Sequence, residues 1–188
     1  MNLKRMFDVL LALTAAAVLI LPAMLVALVV RLTSPGPVLY WSDRIGRYNS
    51  IFQMPKFRSM RMGTPAVATH LLINLGTHLS PVGSFLRKSS LDELPQLWSI
   101  LIGDMSFVGP RPALFNQADL IAQRTALQVH VLMPGLTGWA QVNGRDKLPI
   151  SQKVLLDAYY ARHQSMRLDL QIICMTLLKV LQRDGVSH

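Results

Sequence analysis

Val9 to Val30 is a run of 22 residues without a charge, and no other feature limits the possible folds of this 188-residue chain so strongly. As one straight helix it would cover about 33 Å, enough to cross a bilayer, so membrane association follows. A cleaved signal peptide does not fit, because the stretch is too long and no small-x-small site closes it. Pro22 falls in its middle, where it removes a helical hydrogen bond and clashes with the preceding turn, which predicts a bend. Lys4 and Arg5 precede the run and Arg31, Arg44 and Arg47 follow it, so the positive-inside rule gives little asymmetry to orient a span. Two geometries satisfy this pattern: a re-entrant helix-break-helix that dips into one leaflet and returns, and a Pro-kinked spanning helix.

Nineteen Lys and Arg against ten Asp and Glu give a net charge of +9, which points to anionic partners: phosphates, acidic lipid or nucleic acid. A hydrophobic content of 51% supplies an ample core for one domain. The single cysteine, Cys174, lies in an apolar helical stretch, which predicts a packed thiol in a reducing compartment.

After the apolar run, Ser34-Pro35-Gly36-Pro37 reads as a turn at the membrane interface. Val38 to Trp41 and Ile51 to Met54 predict a short hairpin, and Lys56-Phe57-Arg58 sets two cations on one strand face. They either clamp a phosphate or guard a solvated edge. His70 and His78 lie in an aperiodic stretch with no third ligand nearby, so they read as surface residues and not as a metal site.

Glu93, the only glutamate, stands beside Asp92 at the start of a predicted helix from Leu91 to Ile102 that stops at Gly103. Ser90-x-x-Glu93 has capping-box spacing, and Asp92 falls in the first turn, where the helix dipole favours an acid. That structural role accounts for the pair without any chemistry. In Gly103 to Pro112 two prolines fix the backbone around Arg111, and a held arginine suits bidentate phosphate recognition. Pro134 to Arg145 brings glycine amides, Gln141 and Arg145 into one loop; the plainer reading is a pair of turns around a buried Trp139. Leu168, Leu170, Ile172, Ile173, Met175, Leu177, Leu178 and Leu181 form an apolar arc with Lys179 and Arg183 beside it. The arc fits an interfacial helix or a core-packed terminal helix.

Taken together, these blocks resemble the bacterial sugar transferases that are small monotopic polyprenol-phosphate phosphoglycosyl transferases. The resemblance runs from Lys4 to about Ser187 and rests on Lys4-Arg5-x-Phe7-Asp8, Lys56 to Met60, Ser90 to Leu94, Gly103 to Pro112, Pro134 to Arg145 and Asp157-x-Tyr159-Tyr160. It implies an α/β fold, mostly helical with a short β-hairpin. Residues 1–33 would form the re-entrant membrane helix and residues 34–188 a cytosolic catalytic domain with interfacial amphipathic helices. One departure is Leu21-Pro22 where the family usually has Ser-Pro, so no hydroxyl meets the freed backbone.

The implied activity is transfer of a phosphosugar from a UDP-sugar to undecaprenyl or another polyprenol phosphate, with release of UMP, at the cytoplasmic face of the bacterial inner membrane. By resemblance Asp92 is the nucleophile and Glu93 helps hold Mg²⁺. Arg111 and Arg145 are the foremost phosphate or nucleotide contacts, followed by Lys56, Arg58, Arg87, Gln141 and Asp157. Membrane phospholipids are further partners, and a homodimer is left open. The rival reading is a non-catalytic surface protein whose basic face binds anionic lipid. Nucleic acid is disfavoured by the apolar anchor, the scattered basic residues and the lack of a recognition motif. No residue reads out the sugar.

Overall fold

The computed structural model describes residues 3–67, 75–144 and 148–182. Of the residues singled out above, His70, Arg145 and Arg183 lie outside the described residues.

The apolar run forms α1 (Leu3–Thr33), a single helix that continues through Pro22, so the expected break is not present as an interruption. Only 11% of its most apolar window is buried, so protein packing does not account for its composition. A hairpin follows: β1 (Leu39–Ile45) pairs antiparallel with β2 (Ile51–Phe57), with Tyr40 opposite Lys56, Ser42 opposite Met54 and Arg44 opposite Phe52. The chain then forms α2 (Leu75–His78), α3 (Gly83–Lys88), a 3-10 turn at Leu91–Glu93 and α4 (Gln96–Ile102). Next come β3 (Ser106–Val108), α5 (Ala118–Ala126), β4 (Gly135–Thr137), α6 (Trp139–Val142), α7 (Ile150–His163) and α8 (Met166–Gln182). The described residues are thus mostly helical with one short antiparallel hairpin, as the sequence leads one to expect.

β3 and β4 pair in parallel, Ser106 with Gly135 and Val108 with Thr137. This joins the two glycine-containing blocks. A Cβ on Gly109, Gly135 or Gly138 would run into backbone of the opposing block, so these glycines serve close chain approach. Two of their amides are spent on it: Gly109 donates to Thr137 O and Gly135 to Pro110 O, each at 2.9 Å.

Both ends of α1 dock on the same body. At its start Lys4 Nζ donates to Asp169 Oδ2 on α8 at 2.6 Å, Asp8 accepts from the Phe107 amide at 3.1 Å, and Arg5 donates to the last carbonyls of α4 at Ile100 and Leu101. Ala12 packs with Met54, Leu97, Ile100 and Met105. At its far end Val26 and Val30 pack on Phe57 and Leu86. The outward face, including Val18, Leu21, Leu25 and Leu28, stays exposed.

α8 divides its apolar arc. Ile172 is fully buried with Val108, Val142 and Tyr160, while Leu170, Leu177 and Leu178 are exposed. Cys174 is exposed as well, which corrects the expectation of a packed thiol: it falls on the outward side of the helix.

Candidate active site

The acid pair occupies the 3-10 turn between α3 and α4, and the capping box does not form. Ser90 sits in the left-handed region at φ 56°, with no side-chain cap hydrogen bond. Its own amide donates to Arg87 O at 3.2 Å, so that amide is not available to the Glu93 carboxylate. Backbone bonds hold the turn instead: the Ser90 carbonyl accepts from the Glu93 amide at 3.1 Å and the Leu91 carbonyl from the Leu94 amide at 3.3 Å. The predicted helix from Leu91 therefore begins as a tight turn and becomes α-helical after Pro95, ending at Gly103 with φ 100°.

Asp92 is buried, 7% exposed, and among the described residues no hydrogen bond or ion pair reaches its carboxylate. Burial pushes its carboxyl above the ordinary range; Lys56 opposes this, Glu93 adds to it, and Arg87 and Arg111 oppose it further. Glu93 Oε1 accepts from two cations, Lys56 Nζ at 3.0 Å and Arg111 Nη2 at 2.7 Å. Burial likewise pushes the Lys56 ammonium down, against the pull of Glu93.

The hairpin explains how Lys56 arrives. Residues opposite one another share a face, and every second residue returns to it, so Ser42, Arg44 and Lys56 point the same way. Arg44 thereby joins the cluster: its guanidinium is pushed down to about 10, first by burial and then by Arg111, while Glu93 pulls it up. It donates to Ser42 Oγ at 3.0 Å and to Pro112 O at 3.2 Å. Arg44 was read from the sequence only as a membrane-flanking charge; counting by twos back across the hairpin from Lys56 is the signal that finds it.

Lys56, Arg87, Arg111 and Arg44 thus face Asp92 and Glu93, an excess of two positive charges among the described residues. Such a cluster is suited to a group carrying two negative charges.

Three further predicted residues are placed differently. Arg58 is 4% exposed and donates to Ser34 O at 2.7 Å and Pro35 O at 2.6 Å, which makes it a clamp on the chain leaving α1. Asp157 is buried on α7 and accepts from Arg124 Nη2 at 2.6 Å and Nε at 3.0 Å. Gln141 donates to Leu136 O at 3.0 Å within its own loop, and its Oε1 is buried without a partner among the described residues. Arg124 gave no sequence signal, since its partners lie 33 and 13 positions away.

For a divalent cation, the donor chemistry is suitable but sparse. Among the described residues no three His, Cys, Asp or Glu side chains converge. Asp92 and Glu93 are hard oxygen donors, which fits Mg²⁺ when substrate phosphates and water complete its shell.

Comparison with known proteins identifies the family. Residues 1–183 match the bacterial sugar transferase family. The chain is 39% identical over 192 residues to an uncharacterised sugar transferase, EpsL, of Bacillus subtilis, covering all of this chain and 92% of that protein. It is 42% identical over 169 residues to the UDP-glucose:undecaprenyl-phosphate glucose-1-phosphate transferase of Xanthomonas campestris, covering 85% of this chain and 35% of that one. It is 34% identical over 199 residues to the undecaprenyl-phosphate galactose phosphotransferase of Salmonella typhimurium, covering 97% of this chain and 41% of that one. The chain therefore spans nearly all of the Bacillus protein and well under half the length of the other two. With a match over nearly its whole length, the chain belongs to the bacterial sugar transferase family.

Proposed function

We propose that this protein transfers a phosphosugar from a UDP-sugar to undecaprenyl phosphate, or a similar polyprenol phosphate, through a covalent intermediate on Asp92. The observation that carries the reading is Asp92 itself: a buried carboxylate without a partner among the described residues, set in a cluster with two excess positive charges. The names of the relatives from Xanthomonas and Salmonella support the same substrate class.

An Asp92 oxygen attacks the phosphorus that bears the sugar. The bond from that phosphorus to the bridging oxygen breaks, and UMP leaves with the electron pair. An oxygen of the polyprenol phosphate then attacks the same phosphorus, the bond to Asp92 breaks, and the carboxylate is restored. Both nucleophiles and both leaving groups are oxyanions, so no protein acid or base is needed to complete the cycle. Arg111 and Lys56 offset charge on the diphosphate, with Arg87 adding to the field, while the bonds of Lys56 and Arg111 to Glu93 keep these two cations placed before substrate arrives. Glu93, with phosphate oxygens and water, would hold Mg²⁺, which supplies further charge neutralisation.

The protein is monotopic in this reading, at the cytoplasmic face of a bacterial inner membrane. A helix whose first turn and last turn both bind one body does not place them on opposite sides of a bilayer. To enter and leave one leaflet from the same side α1 has to bend, and Pro22, which removes a helical hydrogen bond, is where that bend would fall.

The test is UMP release from a panel of UDP-sugars with undecaprenyl phosphate. Asp92→Asn is expected to lower release at least about a thousandfold while the protein stays folded and membrane-bound. Release at the wild-type rate would falsify the nucleophile assignment. UDP-sugar binding with Mg²⁺ separates this function from a module that binds anionic lipid alone.

A further inference from the structure

We propose that Arg124, with Asp157 as its counter-ion, and Arg44 are positioning residues that hold Arg111 at the phosphate site by gripping the backbone on which it is mounted. The proposal rests on the functional reading above.

Four successive carbonyls in this segment each accept a hydrogen bond from elsewhere in the fold. Pro110 O takes the Gly135 amide at 2.9 Å and Ala113 O takes the Ile45 amide at 2.9 Å. Between them Arg111 O takes Arg124 Nη1 at 2.8 Å, and Pro112 O takes Arg44 Nη1 at 3.2 Å. The two prolines have no N–H, so at those positions the segment is held through its acceptors alone. The carbonyls of Arg111 itself and of Pro112 after it are thus met by guanidinium groups.

Arg124 spends three donors at once, two on Asp157 Oδ2 and one on Arg111 O. A buried ion pair is a poor route to stability, since apolar residues of similar volume often do as well or better. A fork that bridges a carboxylate and a chosen carbonyl does what an apolar residue does not. A small cavity, about 30 Å³, borders Arg111, Pro112, Arg124 and His130, so apolar packing alone does not fix the segment on that side. From Asp157 the chain of contacts runs through Arg124 and the Arg111 backbone to the Arg111 guanidinium, which donates to Glu93 at 2.7 Å. Lysine, a single point charge, does not reproduce the fork.

Double-mutant cycles test this on the full chain in detergent, with Mg²⁺-pyrophosphate binding by calorimetry as the first readout and UMP release as the second. Arg124→Lys, Asp157→Asn and Arg44→Gln are each made alone and together with Arg111→Ala. Each should weaken pyrophosphate binding about fivefold or more when Arg111 is present, and less than about twofold when it is absent. In UMP release each should lower kcat more than it raises KM. Equal losses in both backgrounds overturn the proposal, because a group that merely supports the fold, or touches phosphate itself, acts regardless of Arg111. Should the buried-pair variants not fold, the Arg44→Gln cycle decides by the same criterion. A wild-type chain that binds pyrophosphate yet releases no UMP from any UDP-sugar ends the functional reading, while the binding cycles still decide the positioning roles. A wild-type chain that does not bind pyrophosphate overturns the proposal.

Discussion

A carboxylate that is to attack phosphorus has to be ionised and loosely held, and at Asp92 both requirements work against the folded state. Burial raises its pKa, so the native protein binds a proton more tightly there than the unfolded chain does. The sign follows: between the ordinary carboxylate range and the raised value the native state holds more protons, so stability falls as pH climbs through that window. The deficit persists above it. Asp92→Asn removes the charge, and its melting temperature is expected to match wild type near pH 4 and to exceed it at pH 7. A variant less stable than wild type at neutral pH would show that the carboxylate supports the fold. Glu93 carries a separate expectation: EDTA stops turnover and added Mg²⁺ restores it, whereas full activity in EDTA removes the metal from the mechanism. The acid pair was legible because adjacent carboxylates are conspicuous in a basic chain. Arg44 and Arg124 were not, because a guanidinium's partners are chosen by the tertiary fold, and Pro112 lies 68 positions from Arg44.

At the scale of elements, the two cations read from β2 separate by function. Lys56 ends in the charge cluster, whereas Arg58, one residue past the strand, turns to the chain leaving α1 and meets two carbonyls there. Arg58→Ala is expected to cost about 3 kcal/mol, since the buried Ser34 carbonyl and the Pro35 carbonyl after it lose a charged donor. In chemical denaturation the midpoint should fall accordingly, while UDP-sugar affinity of the folded protein holds; a selective loss of affinity would return Arg58 to the substrate site. Hairpin and anchor were legible from alternation and from composition. The cap at Ser90 was not, since spacing does not reveal that Ser90 adopts a left-handed conformation and gives its amide to Arg87. The glycine-rich blocks were legible as special backbone, but their purpose, strand-to-strand approach, depends on a pairing that no local pattern encodes.

For the molecule as a whole, the apolar outer face of α1 and the exposed leucines of α8 require lipid or a comparable apolar medium. Monotopic placement makes a direct prediction. In a Cys174→Ser background, Leu3→Cys and Thr33→Cys should both react with an impermeant thiol reagent from the cytoplasmic side only. Labelling from opposite sides would mean that α1 spans the bilayer. The bond between Lys4 and Asp169 joins positions 165 apart. During synthesis the apolar helix is made before Phe107, Tyr160 and Asp169, the residues that receive Lys4 and Asp8. Until the chain has grown past Asp169 those charges stay unmatched, so the latch between the apolar helix and the rest of the fold closes only after nearly every other described element has been made.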